Sequence, residues 1–441
     1  MQLRRYINFR LLILILPCFS FLIYLSLSST NTNIFSTFTP LRDFLSNLSS
    51  SSSPSLYALP PIPSILNSFN STSESVSNST RSGNEDEKKK ELLLRSRIAV
   101  CLVGGARKFE LTGPSIAENI LNVYPNADLF INSPLDKDSF KFSIFKDIAP
   151  RIASIRIFKP TKLEETEIHR RVLDPEGSPN GLQGLLQYFN LVEGCLTLIN
   201  AFQVQNNFTY DWIVRTRVDG YWSAPLAPDN FLPNGQYLVP AGSSYRGLND
   251  RLGIGNYNTS QTALSRFSLI PPLDAAGFHH INSESAFKAQ LTTQGVNFFE
   301  NLIPFCVVSA HTFDFPPTRY GLPVASMSSP GPLSGAYCRP CTPVCAGQCA
   351  DDIMQILQIG WSRIEGEKGT IQLCDAHGEW ESGWENNFDR FAGEKLAELR
   401  KRVIMESKFE KCVKDFDEMK KRTVNWDAPD AKQICGIASR R

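Results

Sequence analysis

The sequence predicts an α/β fold in which helices flank a mostly parallel sheet. Residues 98–103 form a continuous apolar run that ends in two glycines, the pattern of a buried parallel strand that meets a tight turn. Further strand-like runs follow at 127–131 and 155–158, and apolar residues at helical spacing lie between the first two strands, over 114–123. This β-α-β order is typical of a parallel sheet covered by helices.

The later part of the chain continues this alternation. The longest predicted helix, 181–203, has a broad apolar face and leads into a strand at 211–219. The remaining predicted elements are strands at 237–240 and 305–310, a helix opened by a Ser N-cap at 283–292, and a charged helical segment at 392–421. We expect the charged segment to pack on the outside of the domain.

The N-terminus predicts a membrane anchor. Three arginines in the first ten residues precede an uncharged apolar run, which we assign to a transmembrane helix at 11–28. The next basic residue is Arg42, so the bias of positive charge places 1–10 in the cytosol as a short tail and the rest of the chain in the lumen. A cleaved signal peptide is the alternative, which Pro17 and the small residues after the run keep open.

A disordered stem is expected between the anchor and the folded body. Residues 29–96 are rich in Ser, Asn, Thr and Pro, and such sequence cannot bury enough apolar surface to offset the entropy of ordering. The body then divides into a main α/β domain at 97–325 and a Cys-rich loop with C-terminal helices at 326–441. Five sequons are candidate glycosylation sites in a lumenal protein: Asn47, Asn70, Asn78, Asn207 and Asn258.

The cysteines fit an oxidising compartment. Ten of the 11 lie beyond the apolar run, and four of these crowd into one segment. In a lumenal protein such a cluster predicts disulfide bonds. A structural zinc site is the alternative, although the spacings match no common zinc finger or ribbon. Cys101 and Cys195 fall inside a predicted strand and helix, where we expect small buried hydrophobes. The four disulfide candidates are Cys338, Cys341, Cys345 and Cys349.

Two short polar motifs, about 30 residues apart, carry the candidate chemistry. Arg215-Thr216-Arg217-Val218-Asp219 closes a predicted strand, and Asn249-Asp250-Arg251-Leu252-Gly253-Ile254-Gly255 forms a polar, Gly-flanked stretch that we expect to be a loop. Arginines supply fixed cations for a diphosphate, and a carboxylate can hold a metal or hydroxyls. The motifs therefore indicate a pocket for a phosphorylated sugar donor. The alternatives are a structural ion-pair cluster for the first motif and an Asx-type turn for the second.

The turn after the first strand adds to this candidate site. Gly104-Gly105-Ala106-Arg107 has small residues that let the backbone approach a ligand, and Arg107 can reach a base or a phosphate. An ordinary strand-to-helix turn is the alternative. The candidate donor-binding residues are Gly104, Gly105, Arg107, Arg215, Arg217, Asp219, Asn249 and Arg251.

On these residues the chain resembles a plant family of type II membrane proteins that are regarded as glycosyltransferases. It is also distantly similar to bacterial polysaccharide and lipopolysaccharide glycosyltransferases that have an R-x-R-x-D strand and a later N-D-R-x-G-x-G segment. The resemblance covers roughly residues 97–319 and implies a nucleotide-sugar domain of the GT-A type. The stem and the Cys-rich tail lie outside the bacterial part of the comparison.

The resemblance also raises the question of a metal. In GT-A enzymes the corresponding strand usually ends in Asp-x-Asp, which holds a divalent metal on the donor diphosphate. This chain has Arg217-Val218-Asp219 there, and a fixed cation can offset diphosphate charge where a metal otherwise would. Asp219 can still bind Mn²⁺ or Mg²⁺. His311 is a second metal candidate, because some GT-A enzymes place a histidine after a late strand; a capped or core histidine is the alternative.

The sequence thus predicts a Golgi single-pass type II glycosyltransferase with a lumenal catalytic domain. It would transfer a sugar from a nucleotide-sugar to a glycan or glycoconjugate acceptor. Asp250 is the candidate base for the acceptor hydroxyl, and Asp219 can also fill that role. The alternatives are a non-catalytic lumenal lectin-like or scaffold protein that retains the fold, and a secreted disulfide-rich interaction protein. The formal net charge of +1 gives no basic field for nucleic acid, so no such partner is expected.

Overall fold

The computed structural model describes residues 79–233, 235–313, 324–356, 369–405 and 408–438, all within one structural unit, Val76–Arg441. No helix in these ranges is long and apolar enough to cross a membrane. The predicted tail and anchor at 1–28, the stem up to residue 78 and the first three predicted sequons lie outside the described ranges.

The larger of two sheets has eight strands. In spatial order they are β14 (Thr423–Asp427), β3 (Ile152–Phe158), β2 (Asp128–Pro134), β1 (Ile98–Val103), β4 (Trp212–Arg217), β7 (Leu252–Asn256), β6 (Tyr237–Pro240) and β8 (Phe298–Asn301). Neighbours from β14 to β4 are all parallel, and β7 alone among these strands runs antiparallel to both of its neighbours. The predicted mostly parallel sheet is confirmed.

Helices flank this sheet, as predicted. In chain order they are α1 (Ser79–Arg95), α2 (Phe109–Ile116), α3 (Phe145–Ile148), α4 (Glu167–Val172), α5 (Gly181–Asn206), α6 (Tyr257–Leu264), α7 (Ile270–Ala275), α8 (Ser283–Thr293), α9 (Gln348–Ile356), α10 (Trp384–Ala392), α11 (Glu394–Met405), α12 (Phe409–Arg422) and α13 (Ala431–Ala438). A π-helical turn, Ala117–Leu121, extends α2.

The central strands are buried on both faces, which explains their continuous apolar sequence. On β1, Val100 and Leu102 belong to the core that α2, α12 and α13 cover. The intervening Ala99 and Cys101 belong to a second core, formed with α5. Because side chains alternate between the faces of a strand, each layer of helices receives every second residue of β1.

The second, smaller sheet has six strands. Its spatial order is β12 (Cys345–Ala346), β13 (Gln372–Cys374), β10 (Val324–Ser326), β11 (Tyr337–Arg339), β9 (Phe305–Val308) and β5 (Gly220–Trp222). β5 begins shortly after β4 ends, so the chain passes from the larger sheet to the smaller one through Val218 and Asp219. The first polar motif therefore lies at the junction of the two sheets.

Five disulfide bonds join all ten cysteines beyond the predicted anchor. They are Cys101–Cys195, Cys306–Cys338, Cys341–Cys374, Cys345–Cys349 and Cys412–Cys435. The prediction of disulfide bonds at the clustered cysteines is confirmed, and only Cys345 and Cys349 pair within the cluster. The expectation for Cys101 and Cys195 is wrong, because their bond ties β1 to α5 and they are not free thiols.

Three segments differ from the sequence-based expectations. Residues 79–95, at the end of the predicted stem, form helix α1. The second polar motif was expected to be a loop, but its last residues form β7 inside the larger sheet. The C-terminal region is not a separate extension, because β14 pairs with β3 and completes one edge of that sheet.

Candidate functional site

Two adjoining cavities open where β1 and β4 end. In the larger sheet β1 lies between β2 and β4, so the chain order reverses beside it. Open α/β sheets bind ligands at such a reversal, outside the carboxyl ends of their parallel strands. The first cavity, of about 240 Å³, contains Val103 and Gly104 from the end of β1 and Arg217 and Asp219 from the end of β4.

The turn after β1 requires its glycines. Gly104 has φ of +124°, a conformation that residues with a Cβ rarely adopt. A Cβ on Gly105 would come within 2.4 Å of the Asp136 carboxylate. That carboxylate accepts hydrogen bonds from the Asp138 amide at 2.8 Å and the Ser139 hydroxyl at 3.1 Å, so it cannot easily move away. The glycines therefore let the turn pass close to β2 and keep the cavity open.

Arg217 and Asp219 form a two-point ion pair at the cavity. The Arg217 Nε and Nη2 atoms each donate to one Asp219 carboxylate oxygen at 2.7 Å. Burial alone would raise the pKa of the Asp219 carboxyl, but the Arg217 charge and hydrogen bonds outweigh it and hold that pKa below its usual value. The Arg217 side chain retains 28% of its exposure and Asp219 retains 11%. The pair is thus partly open to a ligand.

The backbone around this pair is held by both sheets. The Val218 amide donates to the carbonyl of Val103 at 2.9 Å, and the Thr112 hydroxyl donates to the carbonyl of Val218 at 2.7 Å. The Val308 amide donates to the carbonyl of Asp219 at 2.9 Å. These bonds fix the short segment between β4 and β5, so the ion pair has a defined place before any ligand arrives.

The second cavity, of about 320 Å³, shares Arg107, Arg217 and Asp219 with the first. Its other side is formed by residues that follow β9, including Ser309 and His311. The structure thus brings His311 to the same cavity as Asp219, although the two are far apart in sequence. Within the described ranges, Asp219 is the only carboxylate that lines either cavity.

Lys108 adds a third cation to the second cavity. Its ammonium lies over the ring of Trp380, 4.0 Å from the ring centroid. Burial lowers the pKa of Lys108. The Trp380 indole in turn donates to the carbonyl of Ser309 at 2.9 Å. The sequence analysis did not select Lys108, although its position next to Arg107 in the glycine-rich turn is the signal that could have found it.

A buried lysine supports the backbone of Arg107. The Lys141 ammonium donates to the Arg107 carbonyl at 2.7 Å and to the Glu110 carboxylate at 2.6 Å. A second carboxylate, Asp138, lies 3.1 Å from the same ammonium. The side chains of Lys141 and Glu110 are only about one-tenth exposed. The cluster is therefore a fixed support that leaves the Arg107 side chain exposed at the mouth of both cavities.

Asp250 lies in a different environment from the cavities. Its carboxylate accepts a hydrogen bond from the Ser283 hydroxyl at 2.5 Å and lies 3.5 Å from Arg266. Burial would raise the pKa of the Asp250 carboxyl, but the nearby charges of Arg266 and Arg215 lower it. Asp250 is 5% exposed and lines neither cavity. These partners are those of a structural carboxylate, and the geometry does not bring Asp250 to either cavity.

The remaining residues of the two motifs are also buried as structural groups. Arg215 donates to the Asp250 carbonyl and to the Tyr188 hydroxyl, the latter at 3.2 Å. Arg251 donates to the Gly335 carbonyl and lies over the ring of Tyr337, 4.3 Å from its centroid. The Asn249 amide donates to the carbonyl of Ser334 at 3.1 Å. Of the predicted donor-binding residues, Gly104, Gly105, Arg107, Arg217 and Asp219 line the first cavity.

Helix α5 supplies a wall that the sequence analysis did not identify. Gln187, Tyr188, Asn190 and Leu191 line the first cavity together with Phe158, the last residue of β3. The two amide side chains are three residues apart on a helix that is otherwise largely apolar, so they share one face. This pair of amides at helical spacing in a largely apolar helix is the signal that could have found them. Polar amides beside an aromatic ring can hold a flat, hydrogen-bonding ring system.

Two of the predicted glycosylation sites, Asn207 and Asn258, fall within the residues that the structure describes. Asn207 is exposed and ends α5 in a left-handed conformation with φ of 52°. Asn258 is exposed in the first turn of α6. Both side chains are therefore accessible to a modifying enzyme.

The metal prediction has limited support from side-chain geometry. Among the residues that the structure describes, no group of three or more His, Cys, Asp or Glu side chains could hold a metal ion. Both Asp219 carboxylate oxygens accept hydrogen bonds from Arg217. The residues at the cavities thus fit an anion better than a hard cation.

These features define an α/β protein with two adjoining cavities, lined by three cations and one carboxylate, at the carboxyl edge of a parallel sheet. The chain belongs to the family described as a domain of unknown function (DUF7796), which matches residues 93–441. That range includes both sheets and every residue that lines the two cavities. No curated protein matches the chain.

Proposed function

We propose that the protein is a glycosyltransferase that transfers a sugar from a nucleotide-sugar to a hydroxyl of a glycan or glycoconjugate. The observation that carries the proposal is the meeting of Arg107, Arg217 and Asp219 at the point where β1 and β4 end. A nucleotide-sugar needs a cleft for its base, cations for its diphosphate and a polar group near the sugar. The two cavities offer these three features in adjoining positions.

The first cavity suits the nucleotide part of the donor. Phe158 and the amides of Gln187 and Asn190 form a wall that can take a nucleobase and its hydrogen-bonding edge. The guanidinium groups of Arg107 and Arg217 line the same cavity and can pair with the phosphates of such a ligand. The second cavity, on the other side of Asp219, is left for the acceptor and contains Ser309 and His311.

The reaction forms a bond between the acceptor oxygen and the anomeric carbon of the sugar and breaks the bond from that carbon to the phosphate oxygen. The acceptor proton passes to a base, and the nucleoside diphosphate leaves with both electrons of the broken bond. Asp219 and His311 are the cavity-lining side chains that can accept this proton. In this proposal Asp250 keeps a structural role, because it is buried against Arg266 and Ser283.

Binding measurements on the purified full-length chain test the donor site. Calorimetric titration with a panel of UDP- and GDP-sugars is expected to show saturable binding to at least one donor. Arg217→Ala and Asp219→Ala are expected to lose that binding while the melting transition survives. Arg95→Ala and Asp229→Ala are matched controls, because both residues form exposed ion pairs outside the cavities. Absence of binding to every donor, or unchanged affinity in both variants, would reject the proposed site.

A non-catalytic lectin-like or scaffold protein that retains the fold is a second candidate. The Arg217–Asp219 pair favours it, because a carboxylate with both oxygens bonded is a weaker base. Release of nucleoside diphosphate from a bound donor, with acceptor glycans present, separates the two candidates. Turnover supports the transferase. Binding without turnover against a broad acceptor panel supports the lectin-like protein.

A further inference from the structure

We infer that this site binds the diphosphate of its donor without a divalent metal ion, and that Arg217 stands beside Asp219 where a metal would otherwise lie. The inference rests on the proposed function, since it concerns how the same donor is held. It commits the site to a ligand class, a nucleoside diphosphate recognised by guanidinium and ammonium groups alone. Four observations about the described residues lead to it.

The first observation is the geometry of the ion pair. Both carboxylate oxygens of Asp219 accept hydrogen bonds from Arg217, each at 2.7 Å. A planar guanidinium matches a carboxylate in this two-point arrangement, and it covers the edge of the carboxylate on which a metal would be chelated by both oxygens. Mg²⁺ in particular requires near-octahedral oxygen ligands at about 2.0–2.1 Å. Chelation of a metal by both Asp219 oxygens would therefore first have to break two charged hydrogen bonds.

The second observation is that the pair is built into the backbone. The residue between the two partners, Val218, is held by hydrogen bonds at both its amide and its carbonyl. The Asp219 carbonyl is held by β9 in the smaller sheet. These bonds hold the main chain around the ion pair, so the Asp219 carboxylate could turn toward a metal only by a side-chain rotation that breaks both hydrogen bonds to Arg217.

The third observation is the balance of charge around the cavities. Arg107, Lys108 and Arg217 line them against the single carboxylate of Asp219. The cavities thus have an excess of positive charge before any ion is added. A metal-dependent diphosphate site has the opposite character, because its carboxylates need a cation before they can accept an anion.

The fourth observation is that one of these cations is free to meet a ligand. Among the described residues no hydrogen-bond or salt-bridge partner is seen for the Arg107 guanidinium, which is exposed at the mouth of the cavities. Its charge nevertheless reaches Asp219 and contributes to lowering the pKa of that carboxyl. Its main chain is fixed by Lys141 at 2.7 Å. Arg107 can therefore close onto a diphosphate while Arg217 remains paired with Asp219.

The test is a binding titration of the full-length protein with UDP, GDP and their sugar conjugates, in EDTA and again in excess Mn²⁺. We expect the same dissociation constant in both buffers, within about twofold. Binding that appears only with Mn²⁺, or that tightens about tenfold or more, would overturn the inference while leaving the proposed function intact. Absence of binding in both buffers would instead reject the proposed function, so the two failures are distinguishable.

Two variants test the inference without an identified sugar donor. Arg217→Lys keeps the charge but loses the two-point geometry, so in EDTA it is expected to bind UDP or GDP about tenfold more weakly or worse than the wild type. Arg95→Lys is the matched control, and melting curves check that both variants fold. Wild-type affinity of Arg217→Lys in EDTA would contradict the inference. Mn²⁺ alone is the second probe: stoichiometric binding of Mn²⁺ to the wild type that Asp219→Asn abolishes would also overturn it.

Discussion

The ammonium of Lys141 donates a hydrogen bond to the main-chain carbonyl of Arg107 at 2.7 Å, and so links a buried charge cluster to the mouth of the two cavities. The same ammonium compensates the carboxylates of Glu110 and Asp138. Arg107 lies in the turn that begins with Gly104 and Gly105, and this contact holds its main chain. The support beneath the candidate site is therefore electrostatic.

Replacing Lys141 is expected to destabilise the protein and weaken ligand binding together. Lys141→Met removes the ammonium that pairs with the buried Glu110 and Asp138 carboxylates, at a cost of about 3–5 kcal/mol in the free energy of unfolding. Urea denaturation measures the loss, and donor titration measures the effect on binding. Lys89→Met is the control, because Lys89 forms an exposed ion pair with Asp229 and no loss is expected there. Equal stability of Lys141→Met and the wild type would contradict the cluster's role.

The disulfide bond between Cys101 and Cys195 is expected to stabilise the protein more than the bond between Cys345 and Cys349, because it closes a much longer loop. It spans 94 residues, whereas the bond between Cys345 and Cys349 spans 4. The chain-entropy model gives about 5 kcal/mol for the longer loop and about 2 kcal/mol for the shorter one. Denaturation of the two Cys→Ala double variants measures the difference. A larger loss from the shorter loop would show that strain or packing, and not loop closure, sets their contributions.

Gly105→Ala is expected to deform the turn after β1. The new Cβ would meet an Asp136 carboxylate oxygen at 2.4 Å, and that carboxylate is already bonded to Ser139 and to the Asp138 amide. Overpacking of this kind costs about 1–3 kcal/mol. Thermal melting and donor titration should both show the change. Gly436→Ala is the control, since its nearest contact is an ordinary 4.0 Å and it lies in α13. A Gly105→Ala variant with wild-type stability and binding would show that the turn adapts.

The fold could be predicted where burial alone shapes the sequence. The apolar run of β1 and the amphipathic length of α5 are consequences of packing on both faces of one sheet, and both elements lie where the pattern placed them. Strand β7 could not be recognised, because Gly253 and Gly255 are typical of a loop. Here they are needed because a Cβ on either would lie 2.1–2.5 Å from the side chain of Tyr237. In the smaller sheet, β9 falls within the strand predicted at 305–310, whereas the other strands, two or three residues long, are too short for any periodicity.

Part of the candidate site could be predicted from the order of the strands in the sheet. Arg107 and Asp219 follow neighbouring parallel strands, so the topology of the sheet brings their segments together. Asp250 was selected for its place in a polar motif, and only the fold shows that it turns toward Arg266 and Ser283. Those partners lie 16 and 33 residues further along the chain, at separations that no local pattern reports. Sequence patterns therefore found the strand ends and missed the direction of the side chains beyond them.

Glu284 is expected to make stability depend on pH between about 5 and 7. Burial, and then the charge of Asp250, raises the pKa of its carboxyl from 4.5 to about 7, although Arg251 and Arg266 partly oppose the shift. Between these values the folded protein holds a proton that the unfolded chain has released, so the free energy of unfolding falls as pH rises, by up to about 1.4 kcal/mol per pH unit. Glu284→Gln removes this titration and should flatten the profile, which urea denaturation at several pH values measures. Parallel profiles for the wild type and the variant would show that Glu284 is ionised in the folded protein throughout this range.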